Sequence, residues 1–211
     1  MKNAGGTGSM SIEARFHARR RPGALIGPNA VLQAVAVMEE RLGHSETAAI
    51  LADAQIEHLP SGTHMIPEAD ALRLHRWLAL HDPLGAFVIA EESGARTADY
   101  IIANRIPRAA VWLLRRLPAM LAAPLLMAAI RKHAWTFVGA GDFAPQGAWG
   151  FTIDRTAAGD SLPPPDSLFA WYAAVFTRLY RQLVSRGCEC RMQAPAADHV
   201  PLRAYAIHRV D

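Results

Sequence analysis

The stretch DSLFAWYAAVFTRLYRQL at residues 166–183, with CECRM at residues 188–192, decides the fold class. The first stretch carries an apolar residue at every third or fourth position: Leu168, Tyr172, Val175, Leu179 and Leu183. This spacing predicts an α-helix with one apolar face, and Gly187 marks its end because glycine commonly follows the last helical turn. Residues 188–192 and 203–209 predict two β-strands beyond it.

Two shorter alternating stretches precede this helix. Trp135 and Phe137 alternate with Thr136 and Val138, and residues 149–154 alternate in the same way. Glycine and proline residues between positions 139 and 147 indicate a turn. We therefore predict a β-hairpin with one strongly aromatic face, formed by residues 135–138 and 149–154.

The first half of the chain has helical periodicity instead. Residues 84–105 predict a long helix, interrupted in composition by Ser93 and Gly94, and Pro107 marks its boundary. Helices followed by strand, strand, helix, strand and strand predict an α+β domain. In this domain the N-terminal helices pack on a mostly antiparallel four-stranded sheet, with a helix between the strand pairs.

Length and composition set the domain organisation and exclude some function classes. A chain of 211 residues that is 51% hydrophobic suits one folded domain. We assign residues 1–20 to a flexible tail and residues 21–211 to a single domain. The formal net charge is only +3, and neither a basic stripe nor a nucleic-acid-binding motif is present, so no nucleic-acid partner is expected.

The two cysteines, Cys188 and Cys190, are too few for a disulfide-stapled secreted fold. We interpret them as reduced thiols of a cytoplasmic protein, and we predict no metal site built from protein side chains. The best candidate for a dinucleotide-binding loop, residues 139–144, lacks the third glycine and joins two predicted strands. NADPH is therefore expected only if the protein proves to be a reductase, and whether it is an enzyme is left open.

The longest apolar segment runs from Leu117 to Ile130 and is too short to cross a bilayer, which takes about 20 residues. Basic residues flank it on both sides: Arg115, Arg116, Arg131 and Lys132. A buried helix is the favoured interpretation. Contact with a membrane surface or with a lipophilic ligand stays open.

Aromatic residues cluster in the region that these segments bring together. Their ordinary role is core packing, and the alternative is the wall of a pocket for a flat hydrophobic ligand. The candidates are Trp112, Trp135, Phe137, Trp149 and Phe151.

Three stretches resemble the bacteriochlorophyll 4-vinyl reductase family. They are residues 92–107 (ESGARTADYIIANRIP), residues 23–29 (GALIGPN) and the segment from Trp149 to Cys190. The resemblance covers Arg21 to Val210. It implies the 4-vinyl reductase domain, whose fold is shared with small subunits of vesicle-tethering complexes. It also implies that the protein acts on a divinyl chlorophyll precursor. According to the family name, the vinyl group at C8 of this precursor, formerly numbered position 4, is reduced.

Together these observations favour a tetrapyrrole-binding carrier or assembly factor of bacteriochlorophyll biosynthesis, with a magnesium tetrapyrrole precursor as ligand. His133 or His81 would ligate the magnesium, and Tyr100 and Arg105 would pair with a propionate or a ring carbonyl. The first alternative is the vinyl reductase itself. The second is a scaffold that forms a homodimer and docks on magnesium chelatase or another pathway enzyme. The expected location is the cytoplasm, with the periphery of the photosynthetic membrane as the alternative.

Overall fold

The computed structural model describes residues 24–156, 163–193 and 201–209, and these form an α+β domain. The tail assigned to residues 1–20 lies outside the described residues. The described helices are α1 (Asn29–Leu42), α2 (His44–Asp53), α3 (Glu68–His81), α4 (Pro83–Asn104), α5 (Arg108–Arg116), α6 (Ala119–His133), α7 (Trp135–Val138) and α8 (Asp166–Leu183). The described strands are β1 (Leu25–Ile26), β2 (Ile66–Pro67), β3 (Asp142–Pro145), β4 (Gly150–Asp154), β5 (Cys188–Met192) and β6 (Leu202–Arg209).

The larger sheet has the strand order β3-β4-β6-β5, and every neighbouring pair is antiparallel. Helix α8 connects β4 to β5, as predicted, and β1 and β2 form a separate two-stranded ribbon. In the register of β4 with β6, Phe151 lies opposite Tyr205. One face of the sheet is therefore aromatic, and α8 packs against that face. The predicted α+β class is confirmed.

The first strand of the predicted hairpin was placed too early in the chain. Trp135 and Phe137 belong to the short helix α7, and the strand that pairs with β4 is Asp142–Pro145. A pattern of only two alternating aromatic residues is too short to distinguish a strand from one helical turn. Ala134 continues the helical path, because its carbonyl accepts hydrogen bonds from the backbone N–H groups of Phe137 and Val138. In this strand the aromatic residue is Phe143, whereas the sequence pattern assigned that position to Phe137.

The apolar segment 117–130 forms most of α6 and is buried on one side only. Ala123 and Leu126 face the core, whereas Met120, Leu121 and Leu125 are exposed. The expectation of a buried helix is therefore confirmed for the inner face and wrong for the outer face.

The centre of the domain is the contact between α4 and α8. At Gly94 of α4, an added Cβ atom would lie 2.6 Å from the backbone oxygen of Trp171 and 2.9 Å from the Cβ of Ala174. The two backbones therefore approach more closely than any larger residue would allow. Arg178 of α8 adds an ion pair to Asp99 of α4, with N–O distances of 2.8 and 3.0 Å.

We expect the substitution Gly94→Ala to destabilise the protein. Helix propensity alone favours alanine by up to about 1 kcal/mol, but overpacking a tight contact costs about 1–3 kcal/mol. We therefore predict a net loss in the free energy of unfolding, measured by urea denaturation. The variant Ala103→Gly, at an exposed position of the same helix, calibrates the propensity contribution. A more stable Gly94→Ala protein would contradict the close contact.

Candidate functional site

The predicted site residues fall into separate groups, and the first is the aromatic core between α8 and the sheet. Phe151 is fully buried, with its ring centroid 3.9 Å from that of Phe176 and 4.5 Å from that of Tyr205. Phe137 packs edge-on against Phe143 at 5.7 Å. These rings hold the helix on the sheet, so the structure gives Phe137 and Phe151 a packing role.

Trp149 lies at the edge of the same core. Its ring is 5.8 Å from that of Tyr180, whose hydroxyl donates a hydrogen bond of 2.6 Å to the backbone oxygen of Ala148. Burial raises the pKa of Tyr180 well above its usual value. Tyr180 therefore stays neutral and serves as a hydrogen-bond donor at physiological pH.

The second group is exposed and lies on consecutive helices. Trp112 of α5 is 57% exposed, and the guanidinium of Arg116 lies 4.5 Å from the centre of its ring. Trp135 of α7 is 62% exposed. His133 ends α6 two residues before Trp135 and is also exposed. The junction of α6 and α7 therefore carries an exposed imidazole and an exposed indole two residues apart.

The hydrogen bond of His133 determines its tautomer. Its Nδ1 lies 2.9 Å from the backbone oxygen of Ala129, and a carbonyl oxygen only accepts. Nδ1 therefore donates, and in the neutral imidazole Nε2 carries the lone pair that ligates metals. His81 makes the same bond, at 2.8 Å to the backbone oxygen of Trp77, but one face of its ring is stacked on Trp77 at 4.0 Å.

Tyr100 and Arg105 form a third group at the C-terminal end of α4. The guanidinium of Arg105 lies 5.8 Å from the centre of the Tyr100 ring, so the two residues contact each other. His81 lies on α3, and the structure thus distributes the predicted ligand residues over several surfaces. It places Phe137 and Phe151 in one aromatic cluster. His133 and Trp135 are two residues apart on consecutive helices.

Helix α7 is clamped to the domain through its backbone, although it has only four residues. Four elements distant in sequence each bond to one backbone group between residues 136 and 140. The bonds are Gly27 N–H to Thr136 O (2.7 Å), Tyr172 Oη to Phe137 O (3.1 Å), Arg155 Nη1 to Val138 O (3.3 Å) and Ala140 N–H to Glu68 Oε2 (2.9 Å). The exposed side chain of Trp135 is therefore presented from a fixed backbone.

A buried ion pair lies at the centre of this clamp. The guanidinium of Arg155 and the carboxylate of Glu68 are in direct contact, and both residues are buried. At Gly139, which has φ of +55°, an added Cβ would lie 2.4 Å from the Glu68 carboxylate. Sequence reasoning missed this pair, because single charged residues at a helix start and after a strand give no signal of a partner far along the chain.

We expect Glu68→Gln to destabilise the protein by about 3–5 kcal/mol, because it removes the buried carboxylate that contacts the Arg155 guanidinium. Urea denaturation at neutral pH measures this change. The control is Glu189→Gln, which removes a surface partner of Arg191 and should change stability by about 1 kcal/mol or less. Equal losses in the two variants would show that the clamp contributes no more than a surface ion pair.

A second buried polar contact joins α3 to α8. His75 is almost fully buried, and its Nδ1 lies 3.3 Å from the hydroxyl oxygen of Ser167. Burial lowers the pKa of His75 to about 4. The imidazole is therefore neutral in the folded protein throughout the physiological range.

The buried His75 makes stability depend on pH. Its pKa is near 6.5 in an unfolded chain, so the unfolded chain binds the proton first as the pH falls. We expect the free energy of unfolding to fall between pH 6.5 and 4, with a contribution from this group of up to about 3 kcal/mol. Denaturation measured across this range checks the prediction. The stability of His75→Gln should depend less on pH than that of wild type. The stability of the exposed-site control His81→Gln should depend on pH as strongly as that of wild type. Parallel curves for all three proteins would contradict this assignment.

Comparison with solved structures defines the fold class. An unliganded Fe(II) H-NOX protein from K. algicida superposes with a TM-score of 0.58 and 9% sequence identity, covering 88% of this chain and 97% of that chain. A point mutant of the same protein gives a TM-score of 0.60 at the same identity and coverage. At this identity the likeness shows the fold alone: the chain shares its overall α+β fold with these H-NOX structures.

Two curated relatives are much closer in sequence. The bacteriochlorophyll synthase 23 kDa chain of Cereibacter sphaeroides is 41% identical over 180 residues, covering 83% of this chain and 86% of the relative. The protein of the same name from Rhodobacter capsulatus is 40% identical over 162 residues, covering 75% of each. This chain belongs to the bacteriochlorophyll synthase 23 kDa chain family.

These relatives support a role in bacteriochlorophyll biosynthesis, as the sequence predicted. No protein-family model matches the chain, and the resemblance to the 4-vinyl reductase family stays a prediction. Among the described helices, none combines the length and the apolar character that crossing a membrane requires.

Proposed function

We propose that this protein binds a magnesium tetrapyrrole precursor of bacteriochlorophyll and carries it between enzymes of the pathway. The observation that carries the proposal is the junction of α6 and α7, where His133 and Trp135 are both exposed beside a clamped backbone. The names of the relatives support the pathway, and the chemistry of the two side chains supports the ligand class.

The two side chains suit complementary parts of such a ligand. The Nε2 atom of His133 is a candidate axial ligand for the magnesium, since its Nδ1 is already engaged by Ala129. The indole of Trp135 offers a flat apolar face for stacking on part of the macrocycle. Arg131 and Lys132, in the last turn of α6, supply positive charge for a propionate.

The turn between α7 and β3 favours a carrier over a reductase. This turn includes Gly139 and Gly141, the glycines of the candidate dinucleotide loop. The Glu68 carboxylate lies against Gly139 and accepts the Ala140 N–H, so the turn is already occupied by a protein side chain. A dinucleotide pyrophosphate placed here would find this backbone donor in use and the space beside Gly139 filled.

An absorbance titration with divinyl protochlorophyllide tests the proposal. We expect a shifted and saturable spectrum with the wild-type protein, and at least about tenfold weaker binding for His133→Ala and for Trp135→Ala. Matched controls are His81→Ala and Trp112→Ala, which remove an exposed histidine with the same Nδ1 bond and an equally exposed tryptophan. The controls should bind within about twofold of wild type.

The same titration separates the competing functions. The magnesium-free pigment should bind wild type and His133→Ala equally, because only the metal interacts with Nε2. Unchanged affinity in both His133→Ala and Trp135→Ala would place the pigment elsewhere. Conversion to the monovinyl product on addition of NADPH would establish the reductase, and the lack of any spectral shift with wild type would favour a scaffold that docks on a pathway enzyme such as magnesium chelatase.

A further inference from the structure

Helix α6 is apolar on both its inner and its outer faces. No polar side chain occurs from Leu117 to Ile130. Met120 is 80% exposed and Leu121 is 56% exposed, and Leu125 continues the same outward stripe one turn later. A helix that is hydrophobic all round is normally buried in a core or in lipid. The outer face of α6 therefore has the composition of a contact surface.

Helix α5 packs against α6 and extends this surface. Trp112 and Leu113 are exposed on α5, although both are large and apolar. We call the five exposed side chains the outer patch: Trp112, Leu113, Met120, Leu121 and Leu125. Single exposed apolar residues are ordinary, but five of them on two helices that pack together indicate an interaction site.

The charge around the outer patch has one sign. Residues 105–141 contain six basic and no acidic residues, namely Arg105, Arg108, Arg115, Arg116, Arg131 and Lys132. Since the whole chain has a formal charge of +3, the rest of it is net negative by three. Within the part of the chain that the structure describes, none of the six basic residues forms an ion pair. Three of these residues, Arg108, Arg115 and Arg116, lie on α5 with Trp112 and Leu113, so the outer patch has basic charge beside it.

We propose that the outer patch seats the protein on an anionic lipid bilayer. Apolar helices with flanking Arg and Lys lie in the membrane interface, with the apolar side chains among the lipids and the charges at the headgroups. Tryptophan is enriched at that depth, and Trp112 lies at the boundary between the apolar patch and Arg116. The protein thus binds the membrane surface without spanning it.

A second copy of the chain fits this surface less well. A two-fold interface places the same patch on both subunits, so the basic residues of α5 in one subunit would face those of the other. A bilayer with acidic lipids instead supplies the complementary charge. Charge complementarity therefore favours the lipid surface over self-association.

The membrane surface and the proposed pigment site lie at different ends of α6. Leu121 is twelve residues before His133, which is about 18 Å along a helix. The membrane proposal does not depend on pigment binding, and each can fail separately. The variants that test one proposal are controls for the other.

Co-sedimentation with vesicles tests the proposal. We expect the full chain to bind vesicles of phosphatidylcholine containing about a third phosphatidylglycerol at least tenfold more tightly than vesicles of phosphatidylcholine alone. This preference should weaken about tenfold between low and high salt, because salt screens exposed charges. Equal binding to both vesicle types, or no binding to either, would overturn the proposal.

Two pairs of matched variants locate the contact. Met120→Ser with Leu121→Ser should weaken vesicle binding at least about tenfold, whereas Leu80→Ser with Leu84→Ser should not, although Leu80 and Leu84 are 79% and 81% exposed. All four side chains are exposed, so folding should be retained, and circular dichroism checks this. Equal losses from the two pairs would contradict the location.

The role of the basic residues beside the outer patch is tested with two double variants that have the same net charge. Arg108→Gln with Arg116→Gln should reduce binding to the anionic vesicles more than Arg41→Gln with Arg186→Gln, which removes the same charge elsewhere. His133→Ala should bind vesicles like wild type. Light scattering that showed a dimer in the wild type and a monomer in the Met120→Ser, Leu121→Ser variant would assign the outer patch to self-association and overturn the membrane proposal.

Discussion

The contact of Gly94 with the backbone of α8 is the constraint on which the rest of the structure depends. It brings α4 so close to α8 that the side chains between them are mostly small, such as Ala90 and Ala98. With one side of α8 fixed in this way, the opposite side presents Phe176 to the sheet, and the ring of Phe151 stacks on it. The aromatic core is thus a consequence of helix spacing. A wider spacing would leave those rings without a partner and would lose the dense packing on which protein interiors depend.

The same placement of α8 fixes the outer elements. Tyr172 extends from α8 to the carbonyl of Phe137. Burial raises the pKa of its hydroxyl, so the hydroxyl stays protonated and donates this hydrogen bond throughout the physiological range. The Glu68–Arg155 pair completes the hold on α7 by bonding on either side of Gly139. Burying two charges is costly, and a helix of four residues has little stability of its own. We interpret the buried pair as the means of fixing a short helix whose tryptophan faces solvent.

The sequence was sufficient wherever a periodic pattern was long. The long helix α4 was predicted within one residue at each end, and the start of α8 was predicted equally well, because their apolar residues repeat over several turns. Helix α8 ends at Leu183, a few residues before the predicted stop at Gly187. Four residues of α7 gave no period, so a strand was predicted in their place. The clamp could not be predicted, since Glu68 and Arg155 become neighbours only when β4 and α3 are packed. The histidine and tryptophan at the junction of α6 and α7 were both named from the sequence, but their exposure required the structure.

The outer face of α6 was the least predictable feature, and the reason is physical. An apolar run in a sequence indicates that a segment favours burial away from water, but it does not indicate whether protein or lipid covers the segment. The inner face of α6 is covered by the domain, whereas the outer face needs another apolar phase. A carrier of an amphipathic pigment would meet such a phase wherever its cargo partitions into lipid, because a macrocycle with propionates favours the headgroup boundary. A protein held there by the first turns of α6, with His133 about 18 Å further along the same helix, would keep its ligand site at a fixed distance from the lipid surface.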